Sequence, residues 1–250
     1  MVSVRVVCLY IEEQVGVKVI DLEIIGKVHS CYKEKFGVPR QPGLVTEAKG
    51  SIELLPPFNR EEAVRGLEEY SHLWISFVFH QTSEKGWSPM VRPPRLGGNA
   101  KVGVFASRSM FRPNPVGLSV VKLDGIDFEN GVKIIISGMD LVDGTPVVDI
   151  KPYLPYVDSI ADAKSGFAPE APVADCQVVF SEQAEMQIKN IQNRYDVDIS
   201  LLIRQILHSN PAPAYRGQDV GREYGMRLLD FDLRWCQVDV NQFEVISLVD

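Results

Sequence analysis

Ser71-His-Leu-Trp-Ile-Ser-Phe-Val-Phe-His-Gln81 is the stretch on which the fold turns. Leu73, Ile75, Phe77 and Phe79 fall on one face of an extended chain, with Trp74, Ser76 and Val78 on the other. The period of two and the aromatic and β-branched content predict a strand over Ser71–Gln81. Apolar groups on both faces imply cover on both sides, as in a closed or well-packed sheet. Val17–Lys27, Lys101–Ala106, Leu118–Leu123 and Val132–Gly138 read as further strands, and Asn130-Gly131 helps to reverse the chain between its neighbours. One helix interrupts them. Asn59-Arg-Glu-Glu62 has the spacing of a capping box ahead of Ala63–Tyr70. The pattern predicts a mostly antiparallel β barrel or sandwich and excludes an alternating βαβ array.

Beyond this region, Ser159–Val173 turns to Ala, Pro, Ser and Gly and reads as a linker. A compact α+β unit follows. Ser181 caps a helix reaching about Tyr195. Ile199, Leu202, Ile203, Ile206 and Leu207 recur at helical spacing, and Asn210-Pro211 stops the chain. Phe231, Leu233 and Trp235, then Phe243 and Val245, alternate as a closing hairpin. The expected division is an extension of unassigned role at 1–18, a β domain at 19–160, a linker at 161–173 and an α+β domain at 174–250.

The 250 residues carry 26 Lys and Arg against 33 Asp and Glu, a net charge of −7. Lys85 to Leu123 breaks that balance. It holds seven bases (Lys85, Arg92, Arg95, Lys101, Arg108, Arg112 and Lys122) and no acid, leaving 19 bases against 33 acids elsewhere. Cations gathered without counter-ions repel, so the stretch reads as a preformed surface for an external anion, nucleic acid above all. The alternative is pairing with distant acids such as Asp140, Asp143 or Asp149. The N-terminal apolar run is short, meets Glu12-Glu13 and lacks a cleavage site, so no signal peptide is expected. No apolar run approaches the roughly 20 residues that span a bilayer. Cys8, Cys31, Cys176 and Cys236 are scattered, which suits a reducing cytoplasm and argues against zinc or a disulfide framework.

No dinucleotide fingerprint, phosphate loop, zinc-protease motif or nucleophile elbow occurs. The four histidines have no ligand spacing, so no metal is expected. His72 and His80 share a face of the strand with Trp74 and Val78. His80-Gln81 ends it, where strand termini often line sites; satisfied core histidines are the alternative. Three segments set Gly and Pro beside polar heads, as ligand-clasping loops do. They are Phe36-Gly-Val-Pro-Arg-Gln-Pro-Gly-Leu44; Arg92-Pro-Pro-Arg-Leu-Gly-Gly-Asn99 with Val104–Gly117; and Leu141–Tyr153.

Together these segments resemble the TsaA-like family of TrmO tRNA methyltransferases, from about Gly26 to Tyr156. The motifs are long: GVPRQPGL, RPPRLGGNAKVGVFASRSMFRPNPVGLS and DLVDGTPVVDIKPY. Pro213-Ala-Tyr-Arg216 and Asp230–Trp235 resemble the C-terminal extension of bacterial members. The resemblance implies a single-sheet antiparallel β barrel that binds S-adenosylmethionine without a Rossmann fold, in a homodimer with its site near the subunit interface. It implies methylation of N6 of threonylcarbamoyl-adenosine beside the anticodon of a threonine-accepting tRNA. Carried over by motif, the cofactor residues are Pro39, Arg40, Gln41, His80, Gln81, Arg108, Leu118, Asp143, Gly144, Thr145 and Pro146.

A sulfonium cofactor is already an activated methyl donor, so the protein has mainly to align the reacting groups. His80 and Asp149 are the candidate bases, with the modification's own carboxylate a third. Phe77 and Phe105 are expected to help form a dry pocket. Arg92, Arg95, Arg112 and Lys151 are expected to contact phosphate or carboxylate. Phe111, Tyr153 and Tyr215 are candidates to stack a splayed base, with core packing as the alternative. The C-terminal unit is expected to extend the tRNA footprint. Two other classes stay open: an RNA-binding module that senses the cofactor without turnover, and an enzyme that consumes it on a small molecule.

Overall fold

A computed structural model describes residues 21–97, 99–168, 176–209, 220–239 and 241–249. The first half contains β1 (Gly26–Ser30), β2 (Lys49–Leu54), a one-turn helix α1 (Glu61–Val64) and β3 (His72–Val78). A two-stranded ribbon, β4 (Met90–Val91) and β5 (Val102–Gly103), follows, then β6 (Val116–Asp127), β7 (Lys133–Ser137), β8 (Pro146–Pro152) and a short α2 (Pro155–Asp158). Six strands close a barrel in the order β1-β2-β7-β6-β3-β8, every neighbouring pair antiparallel.

Alternation fills the barrel. Val28, Ile52, Leu73, Ile75, Val121, Ile134, Ile136 and Val147 point inward and are buried. Each large aliphatic group so buried contributes roughly 1.5–3 kcal/mol. Phe77 reaches its place only because residue 117 is glycine: a Cβ there would lie 2.3 Å from the Phe77 ring. The outer face of β3 is half-buried as its apolar pattern demands, with Trp74 tilted against Tyr153 at 5.8 Å.

The strand at Ser71–Gln81 ends early, at Val78. Phe79 then donates its N–H to Pro115 and His80 donates to Val78, turning the chain out of the ladder. Lys101–Ala106 is not one strand; β5 passes directly into a 3₁₀ turn over Val104–Ala106. The helix expected over Ala63–Tyr70 shrinks to α1 and a 3₁₀ turn at Leu67–Glu69. Gly66, at φ +84°, breaks it, and Asn59 does not cap it, because Arg60 holds the cap position with no side-chain bond. Of Val17–Lys27, residues 17–20 lie outside the described residues, 21–25 form no strand, and strand begins at Gly26. β6 runs past the expected Leu123 to Asp127. β2 and β8 add to the expected strands; the terminal prolines and Gly-Thr-Pro turn of β8 disguise a strand as a loop.

In the C-terminal part, β9 (Gln177–Phe180), α3 (Glu182–Ile191), α4 (Ile199–His208), β10 (Glu223–Leu228), β11 (Phe231–Asp239) and β12 (Gln242–Val249) form a four-stranded sheet in the order β10-β11-β12-β9, with two helices. β9 lies parallel to β12; like β10, it carries too short a pattern to read from sequence. Ser181 Oγ accepts from the Ala184 N–H at 3.1 Å, so the expected cap is present. Leu202, Ile203, Ile206 and Leu207 form the buried stripe of α4. The sheet packs on the segment after β1: Tyr32 bridges to Leu228, the Arg227 N–H donates to Glu34 at 3.0 Å, and Phe36 stacks on Trp235 at 5.7 Å. Residues 1–18, part of the expected linker, Cys8 and the Pro213–Arg216 motif with Tyr215 lie outside the described residues. Among the described residues no helix is long and apolar enough to cross a membrane.

Candidate active site

Strand direction settles which segments meet. Neighbours in the barrel alternate in direction, so the C-terminal ends of β1, β3 and β7 and the N-terminal ends of β2, β6 and β8 lie at one end. The connections there are 31–48, 79–115 and 138–145. These hold almost all of the first two segments read as clasping loops and the first five residues of the third. Antiparallel closure alone brings them together.

Hydrogen bonds join the three. Arg108 Nη1 donates to Gln41 Oε1 at 2.6 Å, linking the second segment to the first. The Gly43 N–H donates to the Gly138 carbonyl at 2.8 Å, linking the first to the third. Lys35 Nζ donates to the Gln81 carbonyl at 3.3 Å. Ser119 Oγ, beside Leu118 at the start of β6, donates to Asp140 Oδ1 at 2.5 Å. The turn Asp143–Pro146 acts as a structural clasp. Asp143 Oδ1 accepts from the Ser30 N–H at 2.8 Å and Oδ2 meets Lys33 Nζ at 3.2 Å. Thr145 Oγ1 donates to the Val142 carbonyl at 2.7 Å. These bonds fix where the chain leaves β1, and hence where Pro39, Arg40 and Gln41 stand.

Positive charge concentrates at this end. Burial and the nearby Arg95 push Arg40 down from its ordinary value. Burial and Lys85 do the same to Lys35. Like charges held as neighbours weaken one another unless an anion arrives between them. Among the described residues Lys85, Arg92 and Lys101 form no ion pair, so pairing with distant acids does not account for them. Lys122 does pair, with Asp124 at 2.8 Å. Burial lowers the His80 imidazole below its ordinary value; a backbone bond at Val78 opposes this and Lys35 adds to it. A neutral imidazole is a proton acceptor. Asp140 is the one acid drawn in: burial raises its carboxyl, while Ser119 and Arg108 act against that rise.

Several predicted residues fall elsewhere. Asp149 pairs with Ser76 in mid-strand, and its carboxylate is engaged by Lys151 and by the Ile150 N–H. It has no place among the loops. Lys151 and Tyr153 lie toward the opposite end of the barrel; at ~3.3 Å per residue, Lys151 is about 17 Å along β8 from Pro146. Tyr153 packs on Trp74 and His72. Arg112 Nη1 donates to the carbonyls of Val104 and Ser107 and its guanidinium lies 5.6 Å from the Phe105 ring, so it braces its own loop. Phe105 is 74 % exposed and walls no dry pocket, whereas Phe77 is buried. Arg92, Arg95 and Phe111 stay in the connection between β3 and β6. Cys31 is no nucleophile, its thiol pushed up to about 12 by burial. Lys35 lies at the mouth but carries no mark in the sequence reading, although it stands just before the first motif; Asp140, which opens the third motif, enters that reading only as a possible distant counter-ion. Among the described residues no three His, Cys, Asp or Glu side chains gather to hold a metal.

A closed antiparallel barrel with a cation-rich, three-loop mouth defines a non-Rossmann protein whose one end can receive an anionic ligand. Two family models together span nearly the whole described chain: the tRNA-methyltransferase O N-terminal domain over residues 27–159 and the TrmO C-terminal domain over residues 173–250. The chain belongs to the TrmO family. It is 53 % identical over 228 residues to the tRNA (adenine(37)-N6)-methyltransferase of Escherichia coli strain K12, covering 90 % of this chain and 96 % of that one. It is 51 % identical over 211 residues to a putative S-adenosylmethionine-dependent methyltransferase of Pseudomonas aeruginosa, covering 84 % and 90 %. A crystal structure of TrmO from Pseudomonas aeruginosa superposes with a TM-score of 0.79 at 41 % identity, over 93 % of this chain and 99 % of that one.

Proposed function

We infer that the chain is an S-adenosylmethionine-dependent tRNA methyltransferase acting on N6 of an adenosine next to the anticodon. The observation that carries the reading is the repelling cation neighbours Arg40/Arg95 and Lys35/Lys85 at the mouth, together with membership of the family.

The residues present fit the cofactor. Its carboxylate suits Arg40 or Arg108. Its polar groups suit the backbone of the Pro39–Gln41 and His80–Gln81 turns, and its apolar parts suit the exposed Leu118 side chain. S-adenosylmethionine supplies, when bound, a methyl group on a positively charged sulfur, already activated for transfer. The chain then does three things. Arg108, steadied by Gln41 and facing Asp140, orients an anionic group. The cations of the 79–115 connection draw in the RNA backbone. His80, held neutral, accepts the N6 proton as the new bond forms.

The substrate adenosine carries a threonylcarbamoyl group in a threonine-accepting tRNA; its added carboxylate suits the cation excess, since arginine grips carboxylates through paired bonds. The working unit is a homodimer, a reading supported by the family resemblance and by the strongly exposed Phe105 near the mouth. Incubation with methyl-labelled cofactor and tRNA, followed by nucleoside mass spectrometry, tests this. Label in N6 of the modified adenosine is expected. Saturable binding without transfer, or label released only as small products, overturns it.

A further inference from the structure

The connection between β3 and β6 folds around a cleft of about 480 Å³, in which Arg92 and Phe111, expected to meet RNA, are joined by Lys85, Trp87 and Met90. Trp87 and Met90 form its apolar wall with Phe111, and Lys85 and Arg92 its basic rim. Its frame is built by hydrogen bonds. The Ser88 N–H donates to the Phe111 carbonyl at 3.2 Å and the Val104 N–H to the Pro89 carbonyl at 3.0 Å. Ser88 Oγ donates to the Met90 carbonyl at 2.7 Å. These contacts hold Trp87 at 56 % exposure and Met90 at 47 %. A rigid frame that presents an indole and a thioether to water loses burial energy unless something covers them.

The charge says what covers them. Among the described residues Lys85 and Arg92 have no ion pair, and Lys85 lies close enough to Lys35 to depress it. An apolar wall that carries an exposed indole, with two cations on its rim, matches a planar heterocycle joined to a phosphate. We propose that this cleft is a nucleotide subsite, taking an unpaired nucleotide that flanks the target adenosine, with its base on Trp87 and its phosphates on Lys85 and Arg92. The proposal rests on the tRNA reading above and assigns that reading a specific surface. Base–aromatic stacking is tolerant of sequence, so the subsite anchors the loop and leaves choice of the target to the mouth.

The test uses the full chain, with fluorescein-labelled oligoadenylate and unlabelled threonine tRNA as probes and fluorescence anisotropy as the readout. Trp87→Ala is expected to weaken oligoadenylate binding about ten-fold or more, and Trp87→Phe to restore most of it. Lys85→Ala and Arg92→Ala should each lower the salt slope by about 0.7, the value for one single-strand phosphate contact. Cofactor affinity by calorimetry should match the parent in Trp87→Ala and Trp87→Phe. RNA affinity unchanged in Trp87→Ala overturns the subsite. So does a shift from dimer to monomer in sedimentation with RNA affinity intact, which makes the wall a contact between copies of this chain. A parent protein that binds oligoadenylate through Trp87 yet methylates no tRNA leaves the subsite standing and sinks the proposed function instead.

Discussion

Arg108 and Gln41 stand 67 residues apart in the chain and are joined by a 2.6 Å hydrogen bond between Nη1 and Oε1. The bond crosses from the connection between β3 and β6 to the one between β1 and β2, so it closes the mouth of the barrel. Asp140, from the connection between β7 and β8, is near enough for Arg108 to act on its ionisation. One guanidinium thus bonds to the first loop and lies within electrostatic reach of the third. Its orientation depends on each of them.

Replacing Arg108 by Ala should weaken S-adenosylmethionine binding about 10- to 100-fold, since a hydrogen bond to a charged group contributes roughly 1.5–3 kcal/mol. Gln41→Ala acts largely through Arg108 and should cost less. The double variant should then bind no worse than Arg108→Ala alone. Isothermal calorimetry on the four proteins decides it; independent, additive losses would mean that Gln41 does not act through Arg108.

Asp140 gives a pH signature of fixed sign. Its carboxyl is raised in the folded state, so between the ordinary carboxylate value and that raised value the folded protein holds more proton than the unfolded chain. Stability therefore falls as pH climbs through this window. Asp140→Asn should flatten that fall. Urea unfolding from pH 4 to pH 8 measures it, and identical profiles for the two proteins would contradict the assignment.

Gly37 meets the C-terminal sheet at the flexible end of the Met226 side chain. Its φ is +91°, and a Cβ would lie 2.3 Å from the Met226 methyl. Gly37→Ala should cost about 2–4 kcal/mol from overpacking and backbone strain together. It should also loosen cofactor binding, because Pro39 and Arg40 follow directly. Met226 is buried, so Met226→Ala costs stability of its own; because it also relieves the clash, the double variant should lose less than the sum of the two single losses. Chemical denaturation together with calorimetry reads both effects.

The two ends of the barrel should behave differently toward RNA. Lys101→Ala, in the connection between β3 and β6, should lower the salt slope of tRNA binding by about 0.7–0.9. Lys151→Ala, at the far end and paired with Asp149, should leave the slope unchanged. Tyr153→Ala removes a ring packed on Trp74 and should cost about 1–3 kcal/mol of stability without altering RNA affinity. Binding isotherms between 50 and 200 mM salt check the contrast, and equal slopes for both lysine variants would mean that the two ends meet RNA alike.

Legibility followed the range of the interactions. The interior of β3 was plain because alternation over seven residues is a local signal, and the Ser181 cap was plain for the same reason. β8 was hidden because its edges carry turn residues while its pairing partners, β1 and β3, are distant in sequence. Motif spelling pointed to Arg108, Gln41 and His80 as site residues. It also pointed to Asp149, Lys151 and Tyr153, because a continuous motif along one strand passes from one end of the barrel to the other. Spelling does not mark where the mouth stops.

The amino-acid order by itself determined a β-rich class without a Rossmann sheet, an acid-free basic stretch, and the family that the long motifs spell. Those are properties of residue type and local spacing. Only the tertiary structure decided which cations face one another, that Asp140 lies within electrostatic reach of Arg108, that Arg112 braces its own loop, and that the C-terminal sheet holds the segment leading into the Pro39–Gln41 turn. Each of these depends on distances between segments far apart in the chain, and such distances exist only once the barrel closes.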